Sequence, residues 1–97
     1  MFWGSTKEID KKIKIDELKY EIKMNEGLAD SIKSDISGLE YEIRYYTDQA
    51  SGESGEDKRD TERHVRDKKE QLANKKKLLE KTKRELDGFK SELSRLN

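Results

Sequence analysis

Apolar residues recur along this chain with the spacing of a heptad. With Ile15 as position a, the a and d positions of the first half are Ile15, Leu18, Ile22, Asn25, Ala29, Ile32, Ile36, Leu39, Ile43, Tyr46 and Ala50, and Asn25 is their one polar member. A repeat of 3.5 residues keeps such a seam on one side of a helix, facing a neighbour. In the second half Val65, Leu72, Leu79, Leu86 and Leu93 recur every seven residues, with Thr61, Lys68, Lys75, Thr82, Phe89 and Leu96 as the companion d positions. This second seam is strong near the C-terminus and interrupted by lysine in the middle.

Local signals bound two helices. Ser5-Thr6-Lys7-Glu8 has the form of a capping box, which starts helix 1 near Thr6. Ser51-Gly52-Glu53-Ser54-Gly55 is the one Gly/Ser cluster, and a left-handed Gly52 would end helix 1 near Ala50. Helix 2 is expected from about Asp57 to the C-terminus, with Glu56, Asp57 and Asp60 complementing its N-terminal dipole. The expected fold is all-α: an antiparallel two-helix coiled-coil hairpin, one domain over 1–97, that completes a three- or four-helix bundle on association.

Antiparallel pairing sets an a residue of one helix level with a d residue of the other, so residue numbers within a layer share a constant sum. A sum of 111 pairs Ile15 with Leu96, Leu18 with Leu93, Ile22 with Phe89, Asn25 with Leu86, Ala29 with Thr82, Ile32 with Leu79, Leu39 with Leu72, and Tyr46 with Val65. Its midpoint falls at Gly55-Glu56, inside the expected turn. Ile36 and Ile43 then face Lys75 and Lys68, whose alkyl stems would cover them while the ammonium groups reach water. Residues 1–13 overhang the hairpin, leaving Phe2, Trp3, Ile9 and Ile13 uncovered.

Helix 1 also carries a second face. At positions f and c lie Ile13, Glu17, Tyr20, Met24, Gly27, Ser31, Ser34, Gly38, Tyr41 and Tyr45, with one charge among them in a chain that is 45% charged. An outward heptad face is ordinarily more polar than the chain average. Each Gly inside a helix costs about 1 kcal/mol relative to Ala, and small residues let another backbone approach closely. The corresponding positions of helix 2, including Asp60, Arg63, Asp67, Glu70, Asn74, Lys77, Lys81 and Arg84, read as solvent-facing. The candidate partner-binding residues are therefore Tyr20, Met24, Gly27, Ser31, Ser34, Gly38, Tyr41 and Tyr45, joined by Trp3, Ile9 and Ile13 of the overhang. The expected partners are protein helices, from a second copy or another protein.

Composition narrows the alternatives. Hydrophobic content of 30% is too lean for a compact layered globule of 97 residues, and the absence of Pro favours long helices. The formal net charge is zero, so the chain as a whole has no general attraction for nucleic acid or an anionic membrane. Residues 1–50 hold eight Lys or Arg against eleven Asp or Glu, and residues 51–97 hold fourteen against eleven. Between Arg66 and Arg84 there are nine cations and three acids. A nucleic-acid site there would use Lys75, Lys76, Lys77, Lys81, Lys83 and Arg84. The acids at residues 27–45 lie alongside in the register above, however, and no aromatic is interleaved to stack on bases. Mutual neutralisation of the two helices is the simpler expectation.

Catalytic chemistry finds little footing. There is no Cys, which excludes thiolate nucleophiles, thiolate metal sites and disulfides, and no Gly-rich phosphate loop. Asp57, Asp60, His64 and Asp67 share a face at helical spacing, but a single His without a completing helix is a poor metal set. The expectation is a non-enzymatic protein with no catalytic, cofactor-binding or metal residue. Met1-Phe2-Trp3 is too short for a signal-peptide core or a membrane span, so a soluble cytoplasmic protein is expected, with leaderless export the alternative.

In length, lack of Cys and two-helix plan, the chain resembles the small WxG-type hairpin partners of type VII secretion substrates. The resemblance implies architecture alone, since Trp3-Gly4 stands near the N-terminus and the turn contains no Trp. The form is also similar to the coiled-coil arms with which some tRNA synthetases and ribosome-associated ATPases grip RNA. Neither likeness carries a residue role across.

Overall fold

The computed structural model describes residues 2–97, with side chains from Thr6 onward. The chain forms α1 (Phe2–Ser51) and α2 (Gly55–Leu96), connected by Gly52, Glu53 and Ser54, with no strand among the described residues. The two helices pack against each other as an all-α hairpin. It divides into two compact units: a terminal unit of Met1–Ala29 with Lys81–Asn97, and a turn unit of Asp30–Glu80.

In the terminal unit Leu18, Ala29 and Thr82 are buried, and Ile15, Ile22, Asn25, Leu86, Phe89, Leu93 and Leu96 are half-buried. The turn unit buries Ile32, Leu39, Ala50 and Val65, and half-buries Ile36, Ile43, Tyr46, Thr61, Lys68, Leu72, Lys75 and Leu79. Every heptad seam position is thus withdrawn from solvent. Outside the seams, the described residues that share this property are Glu42, Glu53 and Glu92. The polar seam member Asn25 is accommodated locally, because its Nδ2 donates to the Glu21 carbonyl at 2.8 Å.

The lysines at seam positions depart from expectation. Their ammonium groups end on carboxylates of α1: Lys68 Nζ lies 2.8 Å from Glu42 Oε2, and Lys75 Nζ lies 3.0 Å from Asp35 Oδ2. A stem that crosses the seam points its head at the far helix, where an acid beside the seam meets it sooner than bulk water does. The residue numbers of both pairs sum to 110, as do those of Tyr46 and His64, whose rings meet edge to face at 4.4 Å. These contacts flank layers of the expected sum of 111. In the terminal unit Lys14 Nζ reaches Glu92 Oε1 at 3.5 Å.

Helix boundaries differ from the local signals. α1 begins at Phe2 and not near Thr6, because one Gly costs only about 1 kcal/mol and no Pro blocks propagation. Ser5 therefore stands inside the helix, and its side chain is outside the described ones. At the other end Gly52 does not turn left-handed. Its N–H donates to the Gln49 carbonyl and that of Glu53 to Ala50, both at 3.1 Å, and the Ser51 hydroxyl donates to Asp48 O at 2.6 Å. Such tightened i to i−3 closure satisfies terminal carbonyls without a left-handed residue. The positive φ, 64°, falls instead at Gly55, and α2 starts there and not at Asp57. Glu56 and Asp57 occupy its first turn, where the exposed N–H groups favour negative charge.

Two outcomes follow for urea denaturation monitored by circular dichroism. Ile32, 2% exposed, should lose about 2 to 5 kcal/mol on replacement by Ala, whereas exposed Tyr41→Ala should change stability by no more than about 0.5 kcal/mol. Gly55→Ala should cost about 1 kcal/mol because a Cβ is strained at positive φ, and Gly52→Ala should cost clearly less. Equal effects at the two glycines would contradict the turn geometry.

Candidate docking faces of α1

In the terminal unit, helical spacing places Ile13, Tyr20, Met24 and Gly27 on the side of α1 away from the seam. Tyr20 is 61% and Met24 55% exposed, and Ile9 and Ile13 are exposed as well. Leu28, 47% exposed, stands at a g position beside this group and was not among the expected contacts. A Cβ added at Gly27 would meet nothing within 4 Å. The backbone is therefore open there to anything that approaches. Trp3, the remaining expected anchor of the overhang, lies outside the described side chains.

The turn unit carries its own apolar group on α1. Tyr41 and Tyr45 are 64% and 56% exposed, Ser31 and Ser34 are exposed, and Gly38 again has nothing within 4 Å of a Cβ position. Tyr45 is oriented from beneath, since its ring meets half-buried Tyr46 edge to face at 5.2 Å. Ser34 and Gly38 also border a groove lined by Asp35, Leu39, Glu42, Lys68, Gln71 and Lys75. The open glycine thus sits beside the two cross-helix ion pairs. On α2, Leu78 is exposed at a g position. Both overlooked leucines sit directly before a seam residue, in Leu28-Ala29 and Leu78-Leu79, and those doublets were the available signal.

The basic run of α2 is neutralised by direct ion pairs only in part. Lys68 and Lys75 pair with α1, but Lys76 and Lys77 in the turn unit are exposed and have no ion-pair partner among the described residues. In the terminal unit the same holds for Lys81, Lys83 and Arg84. Seam position decides the difference. A d-position stem crosses toward α1, whereas the e, f and c positions of these five residues lead away from the seam.

The Asp57, Asp60, His64, Asp67 face does not assemble a ligand set. His64 meets Tyr46, and no group of three or more His, Cys, Asp or Glu among the described residues could hold a metal ion. None of the described helices is long and apolar enough to cross a membrane. Comparison with known protein families, curated proteins and solved structures gives no significant match.

The open glycines yield a direct test. Gly27→Ala and Gly38→Ala should each raise the stability of the isolated chain by up to about 1 kcal/mol, because helix propensity improves and the new methyl meets no obstacle. Thermal melts at low micromolar concentration check this. A loss of stability on either substitution would mean that the glycine already faces a packed neighbour.

Proposed function

We propose that this hairpin is a non-enzymatic interaction protein that docks helices of another chain on the outer faces of α1, as an adaptor, assembly subunit or small inhibitor. The observation that carries the proposal is the pairing of exposed tyrosines with an open glycine: Tyr41 and Tyr45 beside Gly38 in the turn unit. Tyr20 and Met24 beside Gly27 form the equivalent group in the terminal unit. Aromatic side chains supply large contact area at small entropic cost, and a bare backbone lets a second helix come close. Neither feature contributes to the seam that the two helices already bury. The helix-interior glycines even weaken α1 on its own, which is easier to understand if contact with a partner offsets the cost.

Light scattering on the purified chain, followed by affinity capture from the native cell, tests docking. Gly38→Arg combined with Tyr41→Glu should abolish self-association or partner capture while the chain remains helical, because bulk and charge would enter a close contact. Lys77→Glu and Lys81→Glu on α2 should leave assembly nearly unchanged. Docking through the turn-unit face is ruled out if wild type is a monomer with no recoverable helical partner, or if the double variant associates as well as wild type.

A second use, binding of nucleic acid, draws support from the unpaired cations of α2. Phosphate contacts need clustered positive charge and would make affinity fall steeply with salt. The same chain carries as many acids as bases, and no aromatic interrupts the run to stack on bases. Salt-sensitive, sub-micromolar RNA or DNA binding that disappears in Lys76→Glu with Lys77→Glu would make this the better account.

A further inference from the structure

The uncharged stripe of α1 carries the same order of side chains read from either end, with Met24 in place of one tyrosine. From one end it runs Tyr20, Met24, Gly27, Ser31, and from the other Tyr45, Tyr41, Gly38, Ser34. The residue numbers of each mirrored pair, from Tyr20 with Tyr45 to Ser31 with Ser34, sum to 65. Each pair also joins an f position to a c position, the relation that an antiparallel helix pair requires across its seam. A partner of unrelated sequence places no demand on that order. A two-fold axis does, because each contact must then be returned between the same two residues in exchanged roles. We infer that the occupant of the docking face is a second copy of this chain, with the two α1 helices antiparallel and the axis between Ser31 and Ser34. The inference rests on the docking reading above and names its partner.

Side-chain size and charge select this register. In it Tyr20 and Met24 of one copy's terminal unit meet Tyr45 and Tyr41 of the other copy's turn unit, and Gly27 meets Gly38. Helix axes approach to about 8 Å across small residues and stand about 10 Å apart across large ones. Two helices crossing at a shallow angle are therefore matched by glycine and serine at the crossing point and by tyrosine where they diverge. Both glycines have open space above them, the serines are exposed, and the three tyrosines and Met24 are each more than half exposed. A shift of one heptad either way sets Glu17 on Tyr41 or Asp48 on Met24, which presses a carboxylate against an apolar surface. A parallel pair matches every residue with itself whatever the sequence, and leaves the mirrored order without a cause. A buried aromatic side chain covers about 150–250 Å². The exposed halves of six tyrosines, with two methionines and the glycine and serine stretch, bring the contact to about 1,000 Å², the lower bound of a specific interface. The rim charges oppose it: Glu17 stands level with Asp48 of the second copy, Lys23 beside Arg44, and Glu21 beside Glu42. Apolar burial must carry the association.

Sedimentation equilibrium on the full chain tests both the occupant and the register. Wild type should pass from monomer to dimer with a midpoint of about 10–100 μM, and sodium chloride should strengthen the dimer by screening the rim charges. Met24→Lys and Tyr41→Glu, both at exposed positions, should each stay helical by circular dichroism and each weaken dimerisation about tenfold or more. Mixed in equal amounts they should recover a heterodimer. An antiparallel pair of the two variants holds one unaltered layer of Met24 with Tyr41 and one in which the new ammonium group faces the new carboxylate, whereas a parallel pair restores neither layer. A mixture that associates no better than its components refutes the antiparallel register, and a wild-type dimer that dissociates as salt is added refutes the apolar contact. A wild type that stays monomeric at about 1 mM refutes the second copy as occupant. If affinity capture then recovers a helical partner that is lost in Gly38→Arg with Tyr41→Glu, the docking face stands with a foreign occupant; if it recovers none, both readings fall.

Discussion

Each helix of this protein can bury only one seam in the other, and that limit governs the rest of the structure. Two helices enclose no interior beyond the line where they touch, so a buried side chain such as Ile32 is rare and most seam residues stay half-buried. Hydrophobic stabilisation grows with the area removed from water, about 25 cal/mol per Å², and a single line of contact removes little per residue. The seam must therefore be continuous, and departures from apolar chemistry need local compensation. Asn25 is satisfied by a backbone carbonyl of its own helix, and Lys68 and Lys75 by acids of the other.

The lysine layers show how a thin seam accommodates charge. Replacing a partly buried ion pair by packed hydrophobic residues is often neutral or stabilising, so such pairs are poor evidence of raw stability. What they do provide is two points, seven residues apart on each helix, at which the charged heads of α2 seam residues are met by acids of α1.

The outer faces of α1 follow from the same limit in the opposite sense. Because the hairpin buries one face of α1, Tyr20, Met24, Tyr41 and Tyr45 are left more than half exposed, and Gly27 and Gly38 weaken the helix that carries them. Surface apolar residues scattered singly are ordinary. A glycine with open space above it, next to aromatics at helical spacing, is a different arrangement, and the proposed docking of a second helix rests on it. The unpaired cations of α2 are solvent-exposed charge on the other helix, at positions that cannot cross the seam.

Heptad spacing alone determined the two-helix plan, the membership of both seams, and the layer sum that the ion pairs flank. A 3.5-residue period leaves one choice of buried side, and a single Gly/Ser cluster leaves one place to reverse direction. The sequence also marked the outer positions of α1, since periodicity that identifies the inside identifies the outside. Tertiary structure decided what periodicity does not encode. Whether Gly52 or Gly55 would take the positive φ depended on how the last carbonyls of α1 were satisfied. The destination of the Lys68 and Lys75 heads depended on which acids the far helix brought within reach. The exposure of Leu28 and Leu78 depended on the width of the contact, because a g position lies at its edge and the heptad alone does not say whether the partner covers it.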